Sequence, residues 1–316
     1  MITASNPRIG IILINLNAYE DTALCLQSLE SLTYSNTELI LVDNGSRDGS
    51  GAKLRAEFPS VTHIRSETNL GFTGGNNLGI THALDTGCEH VLLLNNDTIV
   101  TPGFLEPLLA RLESEPRIAA VSGKIYYTKA AQNGRSDILW YAGSFRKWWM
   151  GFSHFGIDEA DRGLYDKPME VPYASGCEML LRGTAVRRVG LLSDDYFAYW
   201  EESDWCERAR KAGFIAFYEP ASTIYHNYRS GDPGNESPIH NYLHCRNGFI
   251  FASVHEHGFG RLKFWLLFPL ELIYRSLWDI RRKNIRAGWA TLWGVYDFLR
   301  GYRGEQRLRE RGLIQS

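Results

Sequence analysis

Cysteine is scarce in this chain of 316 residues, and its placement is uninformative for pairing. Cys25, Cys88, Cys177, Cys206 and Cys245 form an odd set with no CxxC spacing. That excludes a zinc module and a disulfide framework, and implies reduced thiols in a cytosolic protein. No run of 18 apolar residues occurs, which excludes a simple membrane-spanning helix. The opening MITASNPR lacks the apolar stretch of a signal peptide, so a cytoplasmic location is expected. A formal net charge of −2 gives no global case for nucleic acid as a partner. GxGxxG does not follow the first apolar run, and GxxxxGK[ST] occurs nowhere. The dinucleotide fingerprint and the phosphate-binding P-loop are thereby set aside.

What is present describes a globular protein. Hydrophobic residues make up 44% and charged ones 22%, enough to bury one large core or two modest ones. Nine Trp residues suit stacking platforms for sugar or nucleotide rings, and equally a membrane surface. Charge is unevenly placed. Residues 261–316 carry 12 Lys/Arg against 5 Asp/Glu, leaving 22 against 31 in the preceding 260. A basic C-terminal segment therefore follows an acidic body.

Unbroken apolar runs at Ile9–Ile14, Leu39–Val42, Val91–Leu94 and Ile118–Val121 read as buried strands, and Val61–Arg65 as a further short one. Between them lie a helical stripe over residues 20–32, a glycine-rich loop entering a helix over 69–84, and a helix opened by Pro102. Strand alternating with helix predicts a doubly wound, mostly parallel α/β sheet with right-handed crossovers. Residues 125–170 lose this rhythm and read as short strands with a mobile substrate loop. Regularity returns with a strand and short helix over 171–190, a helix over Asp195–Arg210, and short strands at Phe214–Tyr218 and Thr223–Tyr225.

The run VLLLNNDT at 91–98 is the pivot. In an open α/β sheet, ligands bind beyond the carboxyl ends of the strands. Asn95, Asn96 and Asp97 stand at such an edge, where a carboxylate suits Mg²⁺ or Mn²⁺ holding a diphosphate. An Asx turn is the competing reading of these three residues. Gly71, Gly74, Gly75 and Gly79 likewise allow either loop flexibility or close approach of backbone to a phosphate.

Taken together, the motifs resemble the family 2 glycosyltransferases with the GT-A fold, in particular bacterial rhamnosyltransferase-type members. The likeness rests on INLN (14–17), LVDNGSRDGS (41–50), NLGFTGGNNLG (69–79), LLNNDT (93–98), SGCEMLLRG (175–183), YWEESDWCERARKAG (199–213) and the IYH ending at His226. It covers roughly residues 8–260. The resemblance implies that Asp43 meets the nucleotide base, with Asn15 and Asn17 lining that pocket. Asn69, Gly71, Gly75, Asn76 and Asn77 would lie near the ribose and diphosphate, and Ser175–Gly176 would help to hold the substrates in line.

Asn95-Asn96-Asp97 stands at the family's DxD position, with Asn95 replacing the first acid. Asp97 and His226 would then hold Mg²⁺ or Mn²⁺. Glu201-Glu202 stands where the family writes Glu-Asp, whose second acid is the catalytic base. Glu202 is the implied base, Glu201 its neighbour, and Asp204 shapes the acceptor edge or caps the helix. Without the resemblance, the two acids read as complements to a helix dipole.

The expected organisation is a glycosyltransferase domain over 1–260, with a nucleotide-sugar half at 8–125 and an acceptor half at 126–260, then a basic, aromatic helical extension at 261–316. The amphipathic pattern of that extension suits an anionic membrane surface on the inner face of the cell membrane. It suits equally a packing face on the catalytic domain or on a second copy in a homodimer. The implied reaction is inverting transfer of a sugar from a dTDP- or UDP-sugar to a saccharide or lipid-linked hydroxyl, in cell-surface polysaccharide synthesis. The alternatives are a catalytically inactive nucleotide-sugar binding or scaffold protein, and a sugar nucleotidyltransferase. The second lacks its usual basic glycine-rich loop after the first strand.

Overall fold

A computed structural model describes residues 6–128, 136–148, 151–227 and 237–314. Its contacts divide the chain into two compact units. The first comprises residues up to Phe145, His154–Leu192 and Trp205–Tyr228; the second comprises Arg146–Ser153, Ser193–Asp204 and Arg229 onward.

In chain order the elements of the first half are β1 (Ile9–Asn15), α1 (Tyr19–Leu29), β2 (Thr37–Asn44), α2 (Ser50–Glu57), β3 (Thr62–Ser66), α3 (Gly71–Asp85), β4 (His90–Leu94), β5 (Thr98–Val100), α4 (Leu105–Ser114) and β6 (Ile118–Tyr127). Short strands β7 (Leu139–Tyr141), β8 (Ser144–Arg146), β9 (Phe152–His154) and β10 (Met169–Val171) follow. After them come β11 (Glu178–Arg182), α5 (Gly183–Val189), α6 (Glu201–Lys211) and β12 (Ile215–His226). Three helices close the chain: α7 (Pro238–His255), α8 (Gly258–Arg281) and α9 (Ile285–Leu299).

One sheet runs β10-β12-β6-β11-β4-β1-β2-β3, with β5 added to β12 and β7 to β6. The stretch β4-β1-β2-β3 is parallel, as the unbroken apolar runs require. Beyond it the sheet is mixed, because β11 lies antiparallel between β4 and β6. The expected doubly wound, mostly parallel sheet is present, with β6 and β12 also parallel to each other, while β11 and the short strands β5, β7 and β10 add antiparallel pairs. The two short strands expected at 214–218 and 223–225 are one strand, β12, with a register shift between Glu219 and Thr223. Helix α2 had no signal in the apolar pattern, since it buries only Ser50, Gly51 and Leu54.

In the second unit α7 is buried along most of its length. Phe249, Cys245 and Ala252 cluster with Phe264, Phe268 and Leu272 of α8, and Tyr242 and Leu243 cluster with Ala290 of α9. The boundary expected at residue 260 thus falls inside a packed unit: α7 finds its apolar cover in α8 and α9. Pro269 lies within α8 and does not end it. No described helix is long and apolar enough to cross a membrane.

Candidate active site

The chain leaves β4 at Leu94, passes Asn95, Asn96 and Asp97, and re-enters the sheet as β5. Because β5 pairs antiparallel with the end of β12, Thr98 lies opposite His226. That pairing brings Asp97 Oδ1 to 3.1 Å from His226 Nε2, with Asn95 Nδ2 3.5 Å from the same nitrogen. The Asp97 carbonyl accepts the Asn227 N–H at 2.7 Å, which fixes the turn. The His226 side chain is buried, whereas Asp97 keeps 30% of its side-chain surface exposed. The imidazole is fixed and the carboxylate remains accessible.

Trp140 stands edge-on to His226, 4.6 Å between ring centroids, and Trp140 also meets His154 at 5.0 Å. Burial pushes His154 down to about 4, with the neighbouring His226 adding to the effect. His154 is therefore neutral at physiological pH and adds no positive charge to this corner.

One carboxylate and one imidazole are too few to hold Mg²⁺ or Mn²⁺ alone, since these ions take about six ligands, mostly oxygen. Among the described residues no three His, Cys, Asp or Glu side chains gather to supply more. The donor set fits an ion whose remaining positions are taken by phosphate oxygens.

A continuous chain of polar side chains links this corner to the ends of β1 and β2. Asn96 Nδ2 donates to Thr22 Oγ1 at 2.7 Å, and Thr22 Oγ1 donates to Asn15 Oδ1 at 3.1 Å. Asn15 Nδ2 in turn donates to Ser46 Oγ at 3.0 Å and Ser50 Oγ at 2.9 Å. Asn15 is fully buried, so it positions the neighbouring loops and does not line a pocket wall. Asn17, in the left-handed region at φ 53°, accepts the Arg47 N–H at 2.9 Å. Asp43 accepts the Ser46 N–H at 3.1 Å and lies 3.4 Å from Arg65 Nη1. A Cβ at Gly51 would meet Asp43 Oδ2 at 2.1 Å, so only glycine leaves that carboxylate its place.

The glycine-rich stretch expected as a loop is helical from Gly71 onward. Gly71 (φ +73°) makes the turn into α3, held by Asn69 Oδ1 accepting its N–H at 2.8 Å. Gly75 and Gly79 let α3 sit against β1: added Cβ atoms would meet Ile14 at 3.0 Å and Ile12 at 2.4 Å. Asn76 donates to the Phe72 carbonyl at 3.0 Å. Asn77 brackets Leu192, donating to its carbonyl at 2.9 Å and accepting its N–H at 3.0 Å. Here glycine and asparagine serve close helix–sheet packing and loop attachment. Ser175 and Gly176 are buried just before β11, and the carbonyl of the intervening Cys177 accepts the Asn95 N–H at 2.9 Å. Register thus sets Ser175–Gly176 at the same sheet end as Asn95–Asp97.

In the second unit the helix expected from Asp195 begins only at Glu201. Before it, Phe197 (φ 68°), Tyr199 (φ 65°) and Trp200 (φ 78°) are all left-handed. Each such residue costs roughly 1–3 kcal/mol, and clusters of them mark functional segments. Glu201 is buried, Glu202 half-buried, and their carboxyls share a hydrogen bond. Burial pushes both above the ordinary 4.5, and Glu202 beside Glu201 pushes the latter well above it. The two carboxyls titrate as a pair, and burial holds both above the ordinary range. A helix N-terminus offers a carboxylate about 0.3–1 kcal/mol, too little to offset burial. Asp204 does not face an open edge: it pairs with His255 Nε2 at 2.7 Å and accepts the Tyr196 hydroxyl at 3.3 Å, all three buried. It joins this segment to α7.

The model of the family described as Glycosyl transferase family 2 matches residues 10–189. The chain belongs to that family. An N-acetylglucosaminyl-diphospho-decaprenol L-rhamnosyltransferase of Mycobacterium tuberculosis is 26% identical over 256 residues, 75% of this chain and 81% of that protein. The low-salt glycan biosynthesis hexosyltransferase Agl10 of Haloferax volcanii is 25% identical over 261 residues, 82% of this chain and 80% of the relative. Among solved structures, the mannosyltransferase PcManGT of Pyrobaculum calidifontis, in complex with GDP-Man and Mn²⁺, aligns at TM-score 0.57 and 15% identity over 98% of this chain and 80% of that one. GalNAc-T7 with UDP, GalNAc and Mn²⁺ aligns at TM-score 0.57 and 16% identity over 72% of this chain and 45% of that one. The fold of this glycosyltransferase is GT-A.

Several residues beside the candidate site carry no motif signal. Trp140 and His154 lie in the irregular stretch where no period distinguishes them. Glu178 was part of a quoted motif but unassigned. It is fully buried, accepting the Gly123 N–H at 2.7 Å and the Ser222 hydroxyl at 3.0 Å. Burial pushes its carboxyl up to about 8. A carboxyl raised above its ordinary 4.5 binds its proton more tightly in the folded state. Its stabilising contribution is complete below about pH 4.5 and lost as pH rises through about 8. Glu178→Gln is therefore expected to flatten the loss of stability between pH 5.5 and 8.5, by about 2–4 kcal/mol relative to the unaltered protein. Urea unfolding at both pH values checks this; parallel pH dependence in the two proteins would exclude it.

Proposed function

We propose that the enzyme transfers a sugar from a nucleoside diphosphate sugar, dTDP- or UDP-linked, to a hydroxyl of a saccharide or lipid-linked acceptor, with inversion. The observation that carries this reading is the 3.1 Å pairing of Asp97 with His226 at the end of β4. It sets an accessible carboxylate beside a fixed imidazole where nucleotide ligands bind in such sheets. Asp97 and His226 would hold Mg²⁺ or Mn²⁺, whose charge offsets that developing on a leaving diphosphate. The chain's own residues do the rest. Asn15, Ser46 and Ser50 hold the β1 and β2 loops around Asp43, which would receive the base. Glu202 takes the acceptor proton while Glu201 keeps its own. The reading agrees with both solved neighbours, which contain nucleotides and Mn²⁺. A lipid-linked acceptor agrees with the mycobacterial relative, whose name carries a diphospho-decaprenol, and a role in polysaccharide synthesis follows. Incubation with a panel of UDP-, dTDP- and GDP-sugars, Mn²⁺ and polyprenyl-diphosphate saccharides tests it. The product should gain the mass of one sugar. Failure of every donor to bind or react would remove the proposal.

A membrane-held acceptor also accounts for the helical extension. Leu262, Leu266, Leu270, Ile273 and Leu277 form an exposed stripe along α8, and Trp289, Leu292, Tyr296 and Leu299 one along α9. Arg281, Arg282, Lys283 and Arg286 surround the turn between them, all exposed. Basic residues near an anionic leaflet contribute about 1 kcal/mol each, so an anionic lipid surface fits both the apolar stripes and the charge. The full chain is expected to float with phosphatidylglycerol vesicles at low salt. Leu266→Glu combined with Leu270→Glu should abolish flotation and leave the fold intact. An unaltered chain that stays soluble as a dimer would assign these stripes to a second copy instead.

A further inference from the structure

The segment that delivers Glu201 and Glu202 is held from behind by one side chain. Asn247 of α7 is fully buried, and the two N–H groups of its Nδ2 are shared among three carbonyls: Tyr196 at 2.9 Å, Ala198 at 2.8 Å and Tyr199 at 2.9 Å. Its Oδ1 accepts from Arg246 Nε at 3.1 Å, which fixes the amide with its nitrogen toward the segment. Arg246, also fully buried, donates to the Tyr196 carbonyl at 3.2 Å and the Gly304 carbonyl at 2.7 Å. Gly304 N–H in turn donates to the Asp195 carbonyl at 2.8 Å. These bonds fall on the stretch that contains Phe197, Tyr199 and Trp200 in the left-handed region. Such conformations persist only where the surroundings over-determine them, and the Asn247 amide shared among three carbonyls, with the Arg246 guanidinium beside it, does so.

We infer that Asn247, oriented by Arg246, is the positioning residue of the reaction: it locks residues 196–200 and so sets the direction from which Glu202 meets the acceptor. The inference rests on Glu202 being the base. Asn247 touches no reacting atom, so its loss should act on turnover and spare donor binding. A left-handed residue relaxes readily when unsupported, and glycine adopts that region without Cβ strain. Tyr199, exposed by 43%, is therefore the place for a compensating change.

The test measures kcat, donor KM and amide hydrogen exchange of residues 196–204 in the full chain. Asn247→Ala should lower kcat 10- to 100-fold, keep donor KM within twofold, and raise exchange in that segment. Adding Tyr199→Gly to Asn247→Ala should restore kcat at least threefold. Asn247→Ala with kcat within twofold of the unaltered enzyme would overturn the inference. So would a loss confined to donor KM, or one that Tyr199→Gly leaves unrelieved. If Asn247→Ala is recovered only unfolded, Asn247→Asp keeps the volume and replaces the amide donor, and full kcat there would overturn the inference equally. Glu202→Gln separates the two ideas. Near-normal turnover in it removes the base assignment, whereas its inactivity beside a fully active Asn247→Ala removes the positioning role alone.

Discussion

Glu202→Gln is expected to lower kcat by about 10²–10⁴, the usual worth of a positioned general base. The amide keeps the shape of the side chain and cannot accept a proton. Donor affinity should change less than twofold, because the base acts on the other substrate. Glu201→Gln provides the control. Its amide still donates to Glu202 as the protonated acid does, so kcat should fall less than about tenfold. It also removes the second acid that raises the pair. The unaltered enzyme should gain kcat with pH through an apparent value above the ordinary carboxyl 4.5, because burial and mutual repulsion disfavour the charged pair. In Glu201→Gln that limb should move to lower pH. Steady-state rates over pH 4–9 read both effects. Equal losses in the two variants would mean that the roles are not divided as proposed.

Asp97→Ala is expected to be the more damaging at the other centre. On the proposed reading, Asp97 and His226 would make only a weak cation site without phosphate oxygens, so Mn²⁺ should bind the free protein poorly and the nucleotide-bound protein well. Titration calorimetry with UDP and dTDP, each with and without Mn²⁺, should find at least tenfold mutual tightening. Asp97→Ala should erase that coupling and lower activity at least about 10²-fold. Asn95→Asp, which adds a second acid beside His226, should tighten Mn²⁺ binding to the free protein. Nucleotide binding indifferent to EDTA and to Asp97→Ala would remove the metal from the account.

Much of the first unit was legible because its strands are buried on both faces. Ile9–Ile14 and Val91–Leu94 are continuous apolar runs for that reason, and the polar residues that follow them mark the ligand-binding edge. His226 was found through the motif order, and β5 explains its place: three residues pairing with β12 bring it to Asp97 from 129 positions away. The glycines at 75 and 79 left two readings open, since a helix pressed against a sheet and a loop around a phosphate both call for missing side chains.

The start of α6 was misread by six residues because Phe197, Tyr199 and Trp200 are poor signals for left-handed backbone. Tertiary bonds from Asn247 and Arg246 reach this stretch, and nothing local in the sequence announces such bonds. The boundary at residue 260 failed for a related reason. Charge changes sharply near 261, but packing follows the apolar face of α7, which continues into α8 and α9. Asp204 sits in an acidic motif and is consumed by His255, a partner 51 residues away.

The account stands most directly on a single displacement at the anomeric carbon. If Glu202 only removes a proton, no glycosyl–enzyme bond forms and the configuration must invert. ¹H NMR of the anomeric proton, followed from donor to product in one reaction, measures this. The account predicts the opposite configuration at the anomeric carbon of the glycoside product. Retention of the donor's configuration would contradict it.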